Sequence, residues 1–212
     1  MTAKVFALSS PAEPGLRGDA LPGPDGRLRC PWAVGSSDYL EYHDLEWGQP
    51  VRGDVALFER LSLEGFQAGL AWITILRKRP AFRSAFAGFD PEVVAGFTVR
   101  EVERLMADPG IVRNRAKIEA TIGNARALLA LWERDGTQAL DALVWERRSS
   151  MRSRPRTLAE VPAKTADSAR LSRDLRQRGF RFVGPTTCYA AMQACGVVDD
   201  HLFDCAVAPP PP

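Results

Sequence analysis

The run Leu63-Glu64-Gly65-Phe66-Gln67-Ala68-Gly69-Leu70-Ala71-Trp72 limits this chain most. It closes an amphipathic helix that Asp54 can open as N-cap, with Val55, Leu57, Phe58, Leu61 and Ala68 at helical spacing. Along the stripe 57, 61, 64, 68 and 72 every residue is apolar except Glu64. A carboxylate on a core stripe costs several kcal/mol unless something pairs with it. Gly65 and Gly69 weaken the same segment by ~1 kcal/mol each. Three readings stay open: the helix turns Glu64 to solvent, an Arg neutralises it, or the chain gives up stability here to build a site.

The rest of the sequence frames that segment. A length of 212 residues suits one domain or two small ones, and 45% hydrophobic content supports a proper core. Net charge is only +2, yet residues 147–181 hold eleven Lys/Arg against three acids. Such a block either faces phosphates or is solvated surface. Neither a signal peptide nor an apolar run of transmembrane length is visible, so the expectation is a cytoplasmic protein with no membrane partner. Thiols there stay reduced and serve metals or cores; Cys188 and Cys195, seven apart on one apolar helical face, read as core.

Pro- and Gly-rich residues 1–28 read as a mobile leader outside the fold, and 208–212 as a polyproline tail. Between them, 29–207 reads as one all-α domain. Asp38 caps a short helix, Pro91 opens another, and Thr98-Val99-Arg100-Glu101 is a capping box. A longer helix starts near Arg113; a short one ends near Trp145 and another near Gln177; Thr186 or Thr187 caps the last. The Arg/Ser-rich connection 147–156 reads as surface loop.

Two constellations carry chemistry. Both histidines lie near a cysteine: Cys30 precedes His43 with twelve residues between, and His201 and Cys205, with three between, fit one face of a helical turn. Two Cys and two His form a closed tetrahedral zinc set with no open position for water, hence structural. One ion would join the two ends of the domain, closing a loop of roughly 160 residues. The alternative is ordinary histidines and free thiols. Second, Asp108-Pro109-Gly110-Ile111-Val112 between two helices, followed by Arg113, Arg115 and Lys117, suggests a helix-hairpin-helix over about 98–130. There Gly110 lets backbone approach a phosphate and the next helix presents its amides. An ordinary helix-helix turn is equally compatible.

Taken in order, these residues resemble the 3-methyladenine DNA glycosylase I family of the helix-hairpin-helix glycosylases. The likeness rests on Cys30-x-Trp32, on Tyr39-x-x-Tyr42-His43-Asp44-x-Glu46-Trp47-Gly48, on 63–74 and on Gly110-Ile111-Val112-Arg113-Asn114-Arg115-x-Lys117-Ile118. It continues through Gly179-Phe180-Arg181-Phe182-Val183-Gly184-Pro185-Thr186-Thr187 and Met192-Gln193-Ala194-Cys195-Gly196-Val197-Val198-Asp199-Asp200-His201. The resemblance implies structural zinc on Cys30, His43, His201 and Cys205. It implies a base pocket of Glu64, Tyr42 and Trp72, with Trp32, Tyr39 and Trp47 nearby. Gln67, Gly69 and Leu70 would approach the gap in the duplex, and the hairpin, with Gly110, Arg113 and Arg115, would hold the backbone.

The implied activity is monofunctional release of 3-methyladenine from alkylated double-stranded DNA by a monomer; residues 116–134 contain no Asp to serve as a strong general base. Two departures stand out: Trp145-Glu146-Arg147-Arg148 where the family has Trp-Ser-Phe-Val, and Tyr189-Ala190-Ala191 where it has a bulkier Tyr-x-Phe. They motivate the competing expectation of a zinc-stapled protein that binds damaged DNA without cutting it. The second also predicts an enlarged gap in the core or pocket.

Overall fold

Local capping sets most helix starts. In the computed structural model, which describes residues 18–147 and 153–207, Ser36 rather than Asp38 caps α1 (Ser37–Leu45), its hydroxyl accepting from the Tyr39 amide. There follow α2 (Asp54–Gln67), α3 (Trp72–Ala85) and α4 (Pro91–Ala95), the last opened by the Asp90 carboxylate. The capping box at Thr98 and Glu101 opens α5 (Val99–Ala107). Asn114 caps α6 (Arg115–Asp135), so Arg113 stays in the turn before it. Then come α7 (Ala139–Trp145), α8 (Ala166–Gln177, capped by Thr165) and α9 (Pro185–Ala194), whose cap is Gly184, not a threonine. No helix among the described residues is long and apolar enough to cross a membrane.

The helix expected to run from Asp54 to Trp72 is broken in two. Gly69 adopts φ +84°, a conformation L side chains rarely take, and reverses the chain. The carbonyls of Phe66 and Ala68 turn to Lys117 Nζ at 2.8 and 2.6 Å instead of to a further helical turn. Asp54 is the first helical residue and not the cap; its carboxylate crosses to α7, accepting from the Leu140 and Asp141 amides at 3.2 and 2.7 Å and from Trp132 Nε1 at 2.6 Å.

One apolar core joins α2 to α9, with Leu57, Phe58, Leu63, Phe66, Ile75, Phe82, Ile118 and Leu128 sealed inside, and with Cys188 and Cys195 in it. Residues 18–28, expected outside the fold, belong to it. β1 (Leu21–Pro22) pairs antiparallel with β2 (Leu28–Arg29), and this hairpin is tied to the chain's far end. Gly18 N donates to Asp204 at 3.1 Å, Asp19 N to the Arg156 carbonyl at 3.1 Å, and Ala206 N to the Leu28 carbonyl at 2.8 Å. These long-range backbone bonds have no signature in local composition. The remaining leader, residues 1–17, and the tail 208–212 lie outside the described residues.

Candidate active site and metal centre

Glu64 sits on α2 one turn before the Gly69 reversal. It is only 5% exposed, and no donor among the described residues hydrogen bonds it. Arg60, the cation one turn earlier, does not close onto it. Its Nη2 donates instead to Glu46 at 3.1 Å, while Arg79 grips Glu46 with two 2.6 Å bonds. Glu46 is therefore held below the usual carboxylate range, chiefly by Arg79. Burial pushes Glu64 the other way, up to about 8, against a smaller lowering by Arg60.

Glu64 faces a cavity of about 300 Å³ lined by Trp32, Tyr39, Tyr42, Trp47, Gln67, Trp72, Ala190 and Gln193. All six residues expected at a base pocket thus converge, from α1, α2, α3 and the segments on either side of α1. Tyr42 is buried, its ring 5.5 Å from Trp72, and desolvation, then the neighbouring Glu64, hold its phenol well above the usual range. The Tyr39 hydroxyl accepts from the Ile73 amide at 2.9 Å, fixing the start of α3 against α1. Gln193 carried no assigned role in the sequence, and Ala190 was expected only to enlarge a gap in the core or pocket. Of the small pair at 190 and 191, only Ala190 reaches the cavity; Ala191 packs in the core. Asp135, the acid nearest to the hairpin helix's missing Asp, is bound to Arg134 at 2.7 Å and is not among the cavity residues.

Behind the aromatic wall lies the metal constellation. Cys30 Sγ, His43 and Cys205 Sγ bring their ligand atoms within 4.8 Å of one another, all buried, and this cluster joins the two ends of the domain. His201 stands beside the trio, its ring 5.0 Å from that of His43. The helical turn expected at His201–Cys205 is absent. Leu202 N donates to Cys30 Sγ at 3.4 Å, Phe203 N to the Pro155 carbonyl at 2.8 Å and Ala206 N to that of Leu28, so these amides leave the helical pattern for long-range partners. Gly48 has φ +79°, and a Cβ there would lie 2.6 Å from the His201 ring, so both backbone and space call for glycine.

The two histidines are supported alike. His43 Nδ1 lies 2.8 Å from Asp44, which Arg29 holds with bonds of 2.8–3.0 Å. His201 Nδ1 lies 2.8 Å from Asp199, which Arg154 holds at 2.7 Å. A carboxylate on Nδ1 places the proton there and leaves Nε2 as a lone-pair donor. His201 Nε2 is buried with no hydrogen-bond partner, and His43 Nε2 has only Cys205 Sγ at 3.5 Å. Hydrogen bonding between the thiols raises Cys30 and lowers Cys205, as expected of two sulfurs sharing one proton. These donors fit a thiophilic divalent ion. Arg29, Asp44, Asp199 and Arg154 were missed, because no spacing rule joins an arginine to a carboxylate so distant in sequence. Arg154 and Arg147, which pairs with Asp174 at 2.6 Å, take much of the Arg-rich connection out of free surface; residues 148–152 lie outside the described residues.

The hairpin turn lies between α5 and α6. Lys78 Nζ holds the Pro109 and Gly110 carbonyls at 2.7 and 3.3 Å, and the Gly110 amide is taken by Asp108 at 2.7 Å. Arg115 is paired with Glu103 at 2.7 Å, whereas exposed Arg113 has no ion pair among the described residues. The Gly69–Leu70 turn is exposed.

Comparison with known proteins fits this arrangement. The family profile described as methyladenine glycosylase matches residues 32–208. The chain belongs to the methyladenine glycosylase family. It is 47% identical over 186 residues to DNA-3-methyladenine glycosylase 1 of Escherichia coli (strain K12), covering 85% of this chain and 97% of that one. Among solved structures, a 3-methyladenine DNA glycosylase I superposes with TM-score 0.81 at 43% identity, over 85% of this chain and all of the other. The Staphylococcus aureus enzyme, whose structure describes 3-methyladenine recognition, gives 0.78 at 37% identity over 84% of this chain and 96% of its own. Membership places the chain in the helix-hairpin-helix glycosylase superfamily.

Proposed function

We propose that this methyladenine glycosylase hydrolyses the N-glycosidic bond of 3-methyladenine in alkylated DNA and is monofunctional. One observation carries the reading: a buried carboxylate with no donor among the described residues, facing an aromatic cavity sized for one base. N3-methylated adenine in DNA is cationic. Entering that cavity it meets ring faces, each favourable to a cation by ~0.5–2 kcal/mol when desolvated. It also supplies the positive charge that Glu64 lacks, drawing the carboxyl back from about 8 toward its ionised form. Trp72, which lines the same cavity, carries a buried Nε1 donor with no partner among the described residues. Neutral adenine offers Glu64 no counter-charge, and extruding a base costs least when it is damaged.

As the bond to C1′ breaks, its electron pair enters the ring, the base leaves neutral, and water adds to the oxocarbenium-like sugar carbon. Among the described residues Glu64 is the only carboxylate lining the cavity, and its role is to select and hold the charged base. No lysine among the described residues lines the cavity, and the Lys117 amine is occupied by two carbonyls, in keeping with hydrolysis and no lyase step.

On the DNA side, Gln67 lies at the cavity mouth and Gly69 and Leu70 fill the gap left by the base, while the turn at Gly110 with Arg113 and Arg115 holds the backbone. Arg113 is the freer of the two arginines; Arg115 must first leave Glu103. The metal is structural zinc, with His201 Nε2 completing the set of Cys30, His43 and Cys205. Trp47, 4.6 Å from the His201 ring, and Trp32, 5.1 Å from that of His43, then link the zinc site to the pocket wall.

Incubation of methylated duplex DNA with the protein should liberate free 3-methyladenine. Damage-selective binding without base release would make it a recognition module instead. Metal analysis should find about one zinc per chain, and chelation or Cys205→Ser should remove it with a large drop in melting temperature; an unchanged melt rejects the metal.

A further inference from the structure

Four non-glycine residues among those described have positive φ: Ala87, Phe89, Gln138 and Phe182. For an L residue the left-handed region costs roughly 1–2 kcal/mol. At Phe89 (φ +58°) burial offsets that cost, since the ring is sealed in the core and stacks on Phe86 at 5.5 Å. Phe182 (φ +55°) has no such return: it is 38% exposed and makes no aromatic contact among the described residues.

The backbone nevertheless holds Phe182 firmly. The buried Asn124 side chain clamps the residue before it, donating to the Arg181 carbonyl at 3.0 Å and accepting from its amide at 2.7 Å. Ser172 Oγ and Cys188 Sγ both donate to the Val183 carbonyl after it, at 2.6 and 3.4 Å. Strain held in place by its surroundings is a mark of functional positions. The location agrees. The Phe182 Cβ lies 3.4 Å from where a Cβ on Gly65 would be, and Gly65 adjoins Glu64. Phe182 also lines a narrow cleft with Phe66, Lys117 and Asn124, at the corner where α2 ends and α6 begins. Leu70, 42% exposed, stands on the turn just beyond α2. Arg181 and Arg113 are exposed and lack ion pairs among the described residues.

We propose that Phe182 is a second apolar wedge, packing on stacked bases of the duplex beside the extruded nucleotide. This rests on the glycosylase reading, which supplies the duplex. A ring left 38% exposed, next to an Arg181 that has no ion pair among the described residues, is suited to base faces, where stacking is tolerant of sequence.

The test compares wild type with Phe182→Asn and Phe182→Tyr. Asn accepts positive φ readily, so the first variant removes the ring and leaves the backbone at ease. Affinity is read on a duplex carrying a stable abasic-site analogue, alongside melting temperature and release of 3-methyladenine. Phe182→Asn should melt at or above wild type yet bind the duplex about ten-fold more weakly, and Phe182→Tyr should restore binding. Wild-type affinity in Phe182→Asn, or parallel losses of stability and binding that Tyr does not rescue, overturns the wedge. Base release by wild type together with an unaffected Phe182→Asn refutes this inference alone; no release by wild type refutes the glycosylase reading beneath it.

Discussion

α2 carries a buried carboxylate at each end, and the two have opposite surroundings. Asp54 is 4% exposed and accepts from two amides and an indole, so it fastens α2 to α6 and α7. Glu64 is 5% exposed and accepts from no donor among the described residues, while burial raises its carboxyl to about 8. Equal burial therefore does not mean equal purpose. A charge met by protein donors is scaffold; one left unmet beside a cavity is a demand for a ligand.

The contrast predicts opposite outcomes from similar substitutions. Glu64→Gln keeps shape and removes charge; base release should fall by about 10²-fold or more, with the melting temperature held or raised because no buried acid remains to be desolvated. A large loss of stability would put Glu64 in the class of Asp54. Conversely, Asp54→Ala leaves two amides and the Trp132 indole without their acceptor and should cost about 3 kcal/mol in urea unfolding. Its activity per folded molecule should stay near wild type; abolished activity in fully folded protein would erase the distinction.

The pH dependence sharpens it further. Glu64 has a folded pKa above its ordinary 4.5, so its contribution to stability is complete below about 4.5 and is lost as pH rises through about 8. Wild type should therefore lose stability relative to Glu64→Gln across that window, by denaturant midpoints at both ends; parallel curves would mean an ordinarily titrating carboxyl. The smallest effect is expected at the edge of the Asp54 network. Arg52 pairs with Asp141 at 2.8 Å and lies over the Trp145 ring at 3.8 Å, but is exposed; Arg52→Ala should cost under about 1 kcal/mol.

Much of the site was legible in the chain because its residue types conflict with their local setting. A glutamate on a core stripe, two glycines in a helix-forming run, and two Cys/His pairs in a chain with only two histidines are visible without coordinates. Capping chemistry likewise placed α4 and α5 at their true starts. What escaped depended on partners far along the chain. The Gly69 break is fixed by Lys117, the true task of Asp54 lies at α7, and the hairpin at 18–29 is held by residues near 156 and 204–206.

By itself, then, the sequence determined the helical class and which side chains are at odds with their neighbours, since propensity, capping and periodicity act over a few residues, while its ordered motifs carried the resemblance to the family. Only the tertiary structure decided which of those conflicts is resolved. It gave Asp54 its three donors, gave each histidine a carboxylate backed by an arginine, and left Glu64 with no donor among the described residues. Whether a buried charge is satisfied depends on what packs against it, and packing brings together residues that no local rule relates.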